Sequence, residues 1–190
     1  NIPTVCWESC DPCGDVEIPG CTDPDALNYD ENATVDDGSC FYEWPEMDNL
    51  FFSEYAEGSS DNKYLEIFNA DDAVVDLSTY SLSRCSNGCD VAGEWDYPNS
   101  VTFEPGDAIL EPGDVYVVCH PSSDEYILGR CNQTFTSMSN GDDVFALTQI
   151  SSGLTLDVIG LVGEQPDGGW DVAGVEAATK NHTLVRKSSV

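Results

Sequence analysis

The side chains of this chain that could do chemistry are nine cysteines, two histidines and 36 carboxylates, set against only six lysines and arginines. His120 stands beside Cys119 after an expected strand, and His182 falls inside an Asn-x-Thr triplet. Neither position suggests a general base. Gly168-Gly169 lacks the Gly-Lys-Ser/Thr ending and the following helix of a phosphate loop. The chain contains no Gly-x-Ser-x-Gly elbow and no His-Glu-x-x-His pair. Paired carboxylates are abundant, but in so acidic a chain their pairing says nothing about glycoside hydrolysis. The expectation is a non-catalytic protein with no catalytic residues.

The cysteines point to the compartment. They are Cys6, Cys10, Cys13, Cys21, Cys40, Cys85, Cys89, Cys119 and Cys131, and three glycosylation triplets begin at Asn32, Asn132 and Asn181. Cysteine-rich loops with such triplets read as extracellular or cell-surface, hence secreted. The expected leader is taken to have been removed before Asn1. Cys10-x-x-Cys13 has zinc-ligand spacing, but a second pair at matching spacing is missing, so disulfides are the preferred reading. Proximity pairs Cys21 with Cys40, Cys85 with Cys89, and Cys119 with Cys131. Cys6, Cys10 and Cys13 form an odd set, so one thiol either bonds another molecule or stays free and buried.

A second possible chemistry is hard-cation binding. Residues 20–40 bring Asp23, Asp25, Asn28, Asp30, Asp36 and Asp37 into one short loop between Cys21 and Cys40. Carboxylates and amide oxygens are what calcium takes, although the loop lacks the alternating acidic positions and terminal glutamate of an EF-hand. No cofactor is required by this reading. Calcium and a plain solvated acidic face both remain open. The stretch resembles a short Cys-Thr-Asp-Pro…Asp-Asp-Gly-Ser-Cys repeat found in secreted proteins.

The formal net charge is −30. Nucleic-acid affinity depends on basic residues displacing phosphate counterions, so no nucleic-acid partner is expected. Anionic membranes are disfavoured for the same reason, and no apolar run is long enough to insert as a helix. Three of the six basic residues, Lys180, Arg186 and Lys187, fall in the last eleven positions. They could direct head-to-tail contact with an acidic neighbour, or pair with carboxylates of their own domain.

The elements that must position these groups are strands. Leu50–Tyr55 and Lys63–Asn69 flank a Gly-Ser-Ser-Asp-Asn cluster, which predicts an antiparallel pair. A third run, from Val74 to Leu82, alternates in part. Pro105-Gly106 and Pro112-Gly113 are turn pairs, Asn140-Gly141 is a hairpin-type signal before a strand at Val144–Gln149, and residues 88–100 read as a long loop. No stretch sustains a helical apolar stripe. The expectation is all-β.

The order of these segments resembles a lamin tail domain of the secreted microbial kind. It runs from Ser-Glu-Tyr and Tyr-Leu-Glu-Ile-Phe-Asn, through Glu-Pro-Gly and Ser-Asn-Gly-Asp-Asp-Val-Phe-Ala-Leu, to His-Thr-Leu-Val-Arg-Lys. The resemblance covers roughly residues 49–190 and implies a non-catalytic immunoglobulin-like β-sandwich. The expected organisation is a Cys-rich arm (1–19), a disulfide-closed acidic module (20–40), an aromatic linker (41–48) and the sandwich (49–190). The linker's Phe41, Tyr42 and Trp44 either pack between modules or form a contact surface.

Three functions fit. The leading one is a structural or adhesive protein, the protomer of a surface filament or matrix, whose partners are its own copies or other surface proteins and glycans. The second is a calcium-dependent glycan- or surface-binding module with Trp44, Trp95, Tyr97 or Trp170 as stacking platforms. The third is an accessory domain of a larger secreted enzyme.

Overall fold

The computed structural model describes residues 17–40, 49–91 and 93–187. The chain divides into two compact units, Asn1–Glu46 and Met47–Val190. In the first, β1 (Pro19–Gly20) and β2 (Val35–Asp36) pair in parallel, and a disulfide joins Cys21 to Cys40. Among its described residues only Cys21 and Ala26 are buried apolar groups. So small a core leaves the bridge and local turns to define the fold. Asp23, Asp30, Asp36 and Asp37 each accept a backbone N–H two residues on, at 2.9–3.0 Å. These Asx turns give the loop its shape.

The second unit runs β3 (Leu50–Glu57), β4 (Lys63–Asn69), β5 (Val75–Asp76), a 3-10 turn at Leu77–Thr79, β6 (Tyr80–Cys85), β7 (Tyr97–Thr102), β8 (Ile109–Leu110) and β9 (Val115–Cys119). It continues with α1 (Glu125–Leu128), β10 (Gln133–Thr134), β11 (Val144–Gln149), β12 (Thr155–Ile159) and β13 (His182–Val185). One sheet has the order β10-β9-β4-β3-β13, the other β12-β11-β6-β7, and β5 pairs with β8. Their inner faces share one core that includes Phe52, Tyr55, Leu65, Ile67, Leu82, Val118, Phe145 and Leu147. Each such side chain contributes about 1.5–3 kcal/mol by leaving water. This is the expected immunoglobulin-like β-sandwich.

The chain departs from the expected pattern at particular places. The third run breaks in two, because Asp76 caps the 3-10 turn by accepting the Ser78 N–H, sending β5 and β6 to different sheets. Residues 88–100 are not all loop, since β7 begins at Tyr97 and pairs with β6. Asn140-Gly141 does not close a hairpin. The strands on either side of it, β10 and β11, belong to different sheets.

The alternation of β3 also changes phase midway. Leu50 and Phe52 point inward, then Tyr55 does, and the register against β4 shifts between Phe52 and Glu54. Ser53 is the extra residue of a β-bulge, which kinks the strand and frees backbone groups for other partners.

Candidate functional site

The freed groups at the bulge are taken up by two residues from distant parts of the chain. Asp157 on β12 accepts the Phe52 N–H at 2.8 Å and the Arg186 Nη2 at 2.5 Å. Arg186, just past β13, donates from Nε to the Phe52 carbonyl at 3.1 Å and from its backbone N–H to the Ser53 carbonyl at 2.8 Å. Its guanidinium also lies 5.0 Å from the centre of the Phe51 ring. One ion pair thus ties β12, β3 and β13 together. Charge-assisted bonds of this kind are about twice as strong as neutral ones.

β12 and β13 end their respective sheets, so this flank of the sandwich is open. Residues 160–181 connect the two strands and are anchored by a chain of hydrogen bonds. The Trp170 N–H donates to Thr179 Oγ1 at 2.8 Å, Thr179 Oγ1 donates to the Gly141 carbonyl at 2.6 Å, and the Tyr55 hydroxyl donates to the Thr179 carbonyl at 2.9 Å. The Trp170 indole rests on Gly160. There φ is +94° and a Cβ would approach the ring to 2.8 Å, so only glycine fits. A groove of about 410 Å³ remains, lined among others by Val158, Leu161, Trp170, Val172, Leu184 and Val185. Trp170 Nε1 is buried without a hydrogen-bond partner among the described residues.

A second cleft of about 450 Å³ lies beside α1, lined among others by Glu54, Tyr64, Glu66, Val117, Tyr126 and Arg130. The Tyr64 hydroxyl donates to Glu54 and the Ser53 hydroxyl to Glu66, both at 2.7 Å. Burial first, then the bond to Glu54 and its charge, push the Tyr64 phenol above its ordinary value. It stays a neutral donor at any ordinary pH. The Arg130 guanidinium lies 3.8 Å over the Tyr126 ring, which is 69% exposed. Fixed carboxylate acceptors beside an aromatic face suit a polyhydroxylic or cationic ligand.

The residues singled out in the sequence are placed as follows. Cys85 bonds Cys89 and Cys119 bonds Cys131, alongside the Cys21–Cys40 bridge. Cys6, Cys10, Cys13 and the linker aromatics Phe41, Tyr42 and Trp44 lie outside the described residues. Asn32, Asn132 and Asn181 are all exposed, and Asn132 also accepts the Val117 N–H at 2.8 Å. Of the residues proposed for calcium, Asp23, Asp30, Asp36 and Asp37 cap turns, and Asn28 donates to the Ser39 carbonyl at 2.8 Å. Among the described residues no three His, Cys, Asp or Glu side chains, Asp25 included, gather as a metal-holding group.

His120 Nδ1 accepts the Ser122 N–H at 3.1 Å, and His182 Nδ1 lies 2.6 Å from the Lys180 carbonyl. Arg186 pairs within its own domain, whereas Lys187 makes no ion pair among the described residues. Tyr97 is covered by the Arg84 guanidinium, 4.0 Å from its ring centre, and Trp170 packs against Gly160. Sequence reasoning missed the Asp157 staple and both clefts, because each joins residues far apart in the chain.

A comparison with curated proteins finds no match. The Lamin Tail Domain family matches residues 45–163, a span that holds every strand from β3 to β12, while the Trp170 connection and β13 follow it. With well over half its length in that match and an immunoglobulin-like sandwich over the same strands, the chain belongs to the lamin tail domain family.

Proposed function

We propose that this chain is a non-catalytic extracellular structural or adhesive module that associates with copies of itself as the protomer of a surface filament or matrix. The observation that carries this reading is the open flank of the sandwich. Two strands, β12 and β13, end their respective sheets there, with Val158 and Val185 exposed at 38% and 62%. An uncovered apolar edge is a template for another chain, and natural sandwiches usually blunt it. Three disulfides support an oxidising compartment. A head-to-tail contact between different surfaces gives an open polymer unless its rotation closes.

Electron microscopy of the native material with sedimentation velocity tests this. Ordered filaments or concentration-dependent oligomers are expected. Monodisperse monomers over the whole concentration range would sink the reading.

A second reading, a glycan- or surface-binding module, is favoured by the exposed Tyr126 in the cleft beside Glu54 and Glu66. Glycan-array binding that Tyr126→Ala abolishes would support it. Loss of that binding on chelation would bring calcium into the site.

A further inference from the structure

We propose that Asn132 carries an N-linked glycan whose first sugar lies in the cleft beside α1, so that the cleft holds a sugar of the chain itself. This rests on the glycan-binding reading of that cleft and names its occupant.

The asparagine is held ready for attachment. Its side-chain Oδ1 accepts the Val117 N–H at 2.8 Å, and its backbone N–H donates to the Val117 carbonyl at 2.9 Å. An N–H must meet an oxygen, so the amide has one orientation and Nδ2 is turned away from that bond. Among the described residues Nδ2 has no hydrogen-bond partner, whereas Asn32 Nδ2 donates to Asp30 at 3.1 Å. Asn132 and Thr134 are two residues apart and both exposed, while Gln133 between them donates to the Thr102 carbonyl. The triplet therefore presents its asparagine and threonine together.

The cleft supplies the seat. Asn132 forms part of its wall, and its volume of about 450 Å³ is that of a ligand pocket (~300–1,000 Å³). Glu54 and Glu66 in the same wall are direct cross-strand partners, with no lysine or arginine paired to either among the described residues. One hydroxyl reaches each of them, from Tyr64 and Ser53. A carboxylate has about four acceptor positions, so places for sugar hydroxyls remain. Arg130 covers one face of the Tyr126 ring, and the 69% exposure of that residue leaves the other face for the C–H side of a sugar. Arg130 also weighs against a cation as occupant and for a neutral polyol.

Attachment is a group transfer from a polyprenyl-diphosphate-linked sugar. The bond between the sugar C1 and Nδ2 forms, and the C1–O bond to the diphosphate breaks with its electron pair kept by the diphosphate. Nδ2 releases one proton. Oδ1 is untouched, so the bond to Val117 survives the modification. β10 ends its sheet, and a glycan just before it shields that edge and leaves β13 as the sheet's open end.

The test is peptide mass mapping of the chain from its native source, followed by thermal unfolding of variants made there. Trypsin releases residues 131–180, in which Asn132 begins the one Asn-x-Thr triplet. This peptide should carry the added mass of a glycan. Thr134→Ala removes the triplet, keeps the Asn132 bond to Val117, and should lower the thermal midpoint by about 2–4 °C. In a Tyr126→Ala background the same step should cost less than half as much. Made in a host that adds no glycan, Thr134→Ala should leave the midpoint unchanged, and an equal drop there would overturn the seat. A glycan whose loss costs the same with and without Tyr126 would overturn it too. An unmodified peptide would overturn the whole proposal, and glycan-array binding by that unmodified chain would leave the glycan-binding reading standing. A seated glycan on a chain that binds no array when stripped would instead fail that reading for free ligands and keep this one, since a tethered sugar needs less affinity.

Discussion

Asp157 does more for the sandwich than its place on an edge strand suggests. Its side chain is 14% exposed and satisfies both the Phe52 N–H and the Arg186 guanidinium. Asp157→Ala leaves a part-buried donor and a half-exposed charge without their acceptor, at about 2–4 kcal/mol in urea unfolding. Asp157→Asn can keep the Phe52 bond and should lose less than half of that. A loss as large in Asn as in Ala would mean that the charge, not the backbone bond, holds the bulge. Glu57 and Lys63 pose the opposite case. They pair at 3.1 Å with side chains 8% and 14% exposed, Glu57 also accepts the Asn181 N–H, and Lys63 donates to the Ser139 carbonyl. Lys63→Met alone strands a buried carboxylate and should destabilise by about 3–5 kcal/mol, while the Glu57→Gln/Lys63→Met pair should lose less than Lys63→Met alone. Asp37 and Asp71 titrate in a predictable direction. Hydrogen bonds from Ser39 hold Asp37 below 3.8, and the Asn49 and then the Asp72 backbone N–H groups do the same for Asp71. Since the folded values are depressed, their contribution is present above 3.8 and lost as pH falls through the lower folded values. Carboxyl resonances of both residues followed by NMR should show midpoints below 3.8. Ordinary midpoints would mean the turns do not persist in solution.

At the scale of elements, the disulfides divide into those that shape a fold and those that tighten one. The Cys21–Cys40 module has Cys21 and Ala26 as its only buried apolar groups among the described residues, whereas the sandwich has a continuous core. Reduction should therefore unfold residues 17–40 and leave the sandwich cooperative. Hydrogen exchange would show the module's amides losing protection while β4, β6 and β11 keep theirs. Replacing Cys119 and Cys131, twelve residues apart, should remove about 3 kcal/mol from the sandwich, and replacing Cys85 and Cys89, four apart, about 2. These bridges join near neighbours in the chain, so spacing alone suggested them. β4 was legible too, as a β-type run after the Gly-Ser-Ser-Asp-Asn cluster, and in the fold Leu65, Ile67 and Asn69 are buried at every second position. β3 was only half legible. Its phase changes at Ser53, and the reason for the change, Asp157 and Arg186, stands more than a hundred residues away. The flank groove had no local signal at all, since Gly160 and Trp170 have meaning only once β12 and β13 sit beside β3. Asn140-Gly141 misled for a related reason: a turn pair specifies a local bend, and the sheets decide where the next strand goes.

At the scale of the whole molecule, charge sets how the protein answers its medium. With a net charge of −30, the folded chain holds its carboxylates closer together than the unfolded one does, and the repulsion is long-ranged at low salt. The screening length falls from about 30 Å at 0.01 M to about 8 Å at 0.15 M and about 3 Å at 1 M. Thermal stability should therefore climb steeply over the first of these steps and level off over the second. Divalent cations extend the argument. Because the acidic module's carboxylates are turned onto its own backbone N–H groups, calcium should act there as a screening ion. At matched ionic strength calcium and magnesium should then raise the midpoint equally, each somewhat more than sodium. A saturable rise with calcium alone would show instead that the Asx turns reorganise around the ion, placing its site among Asp23, Asp30, Asp36 and Asp37.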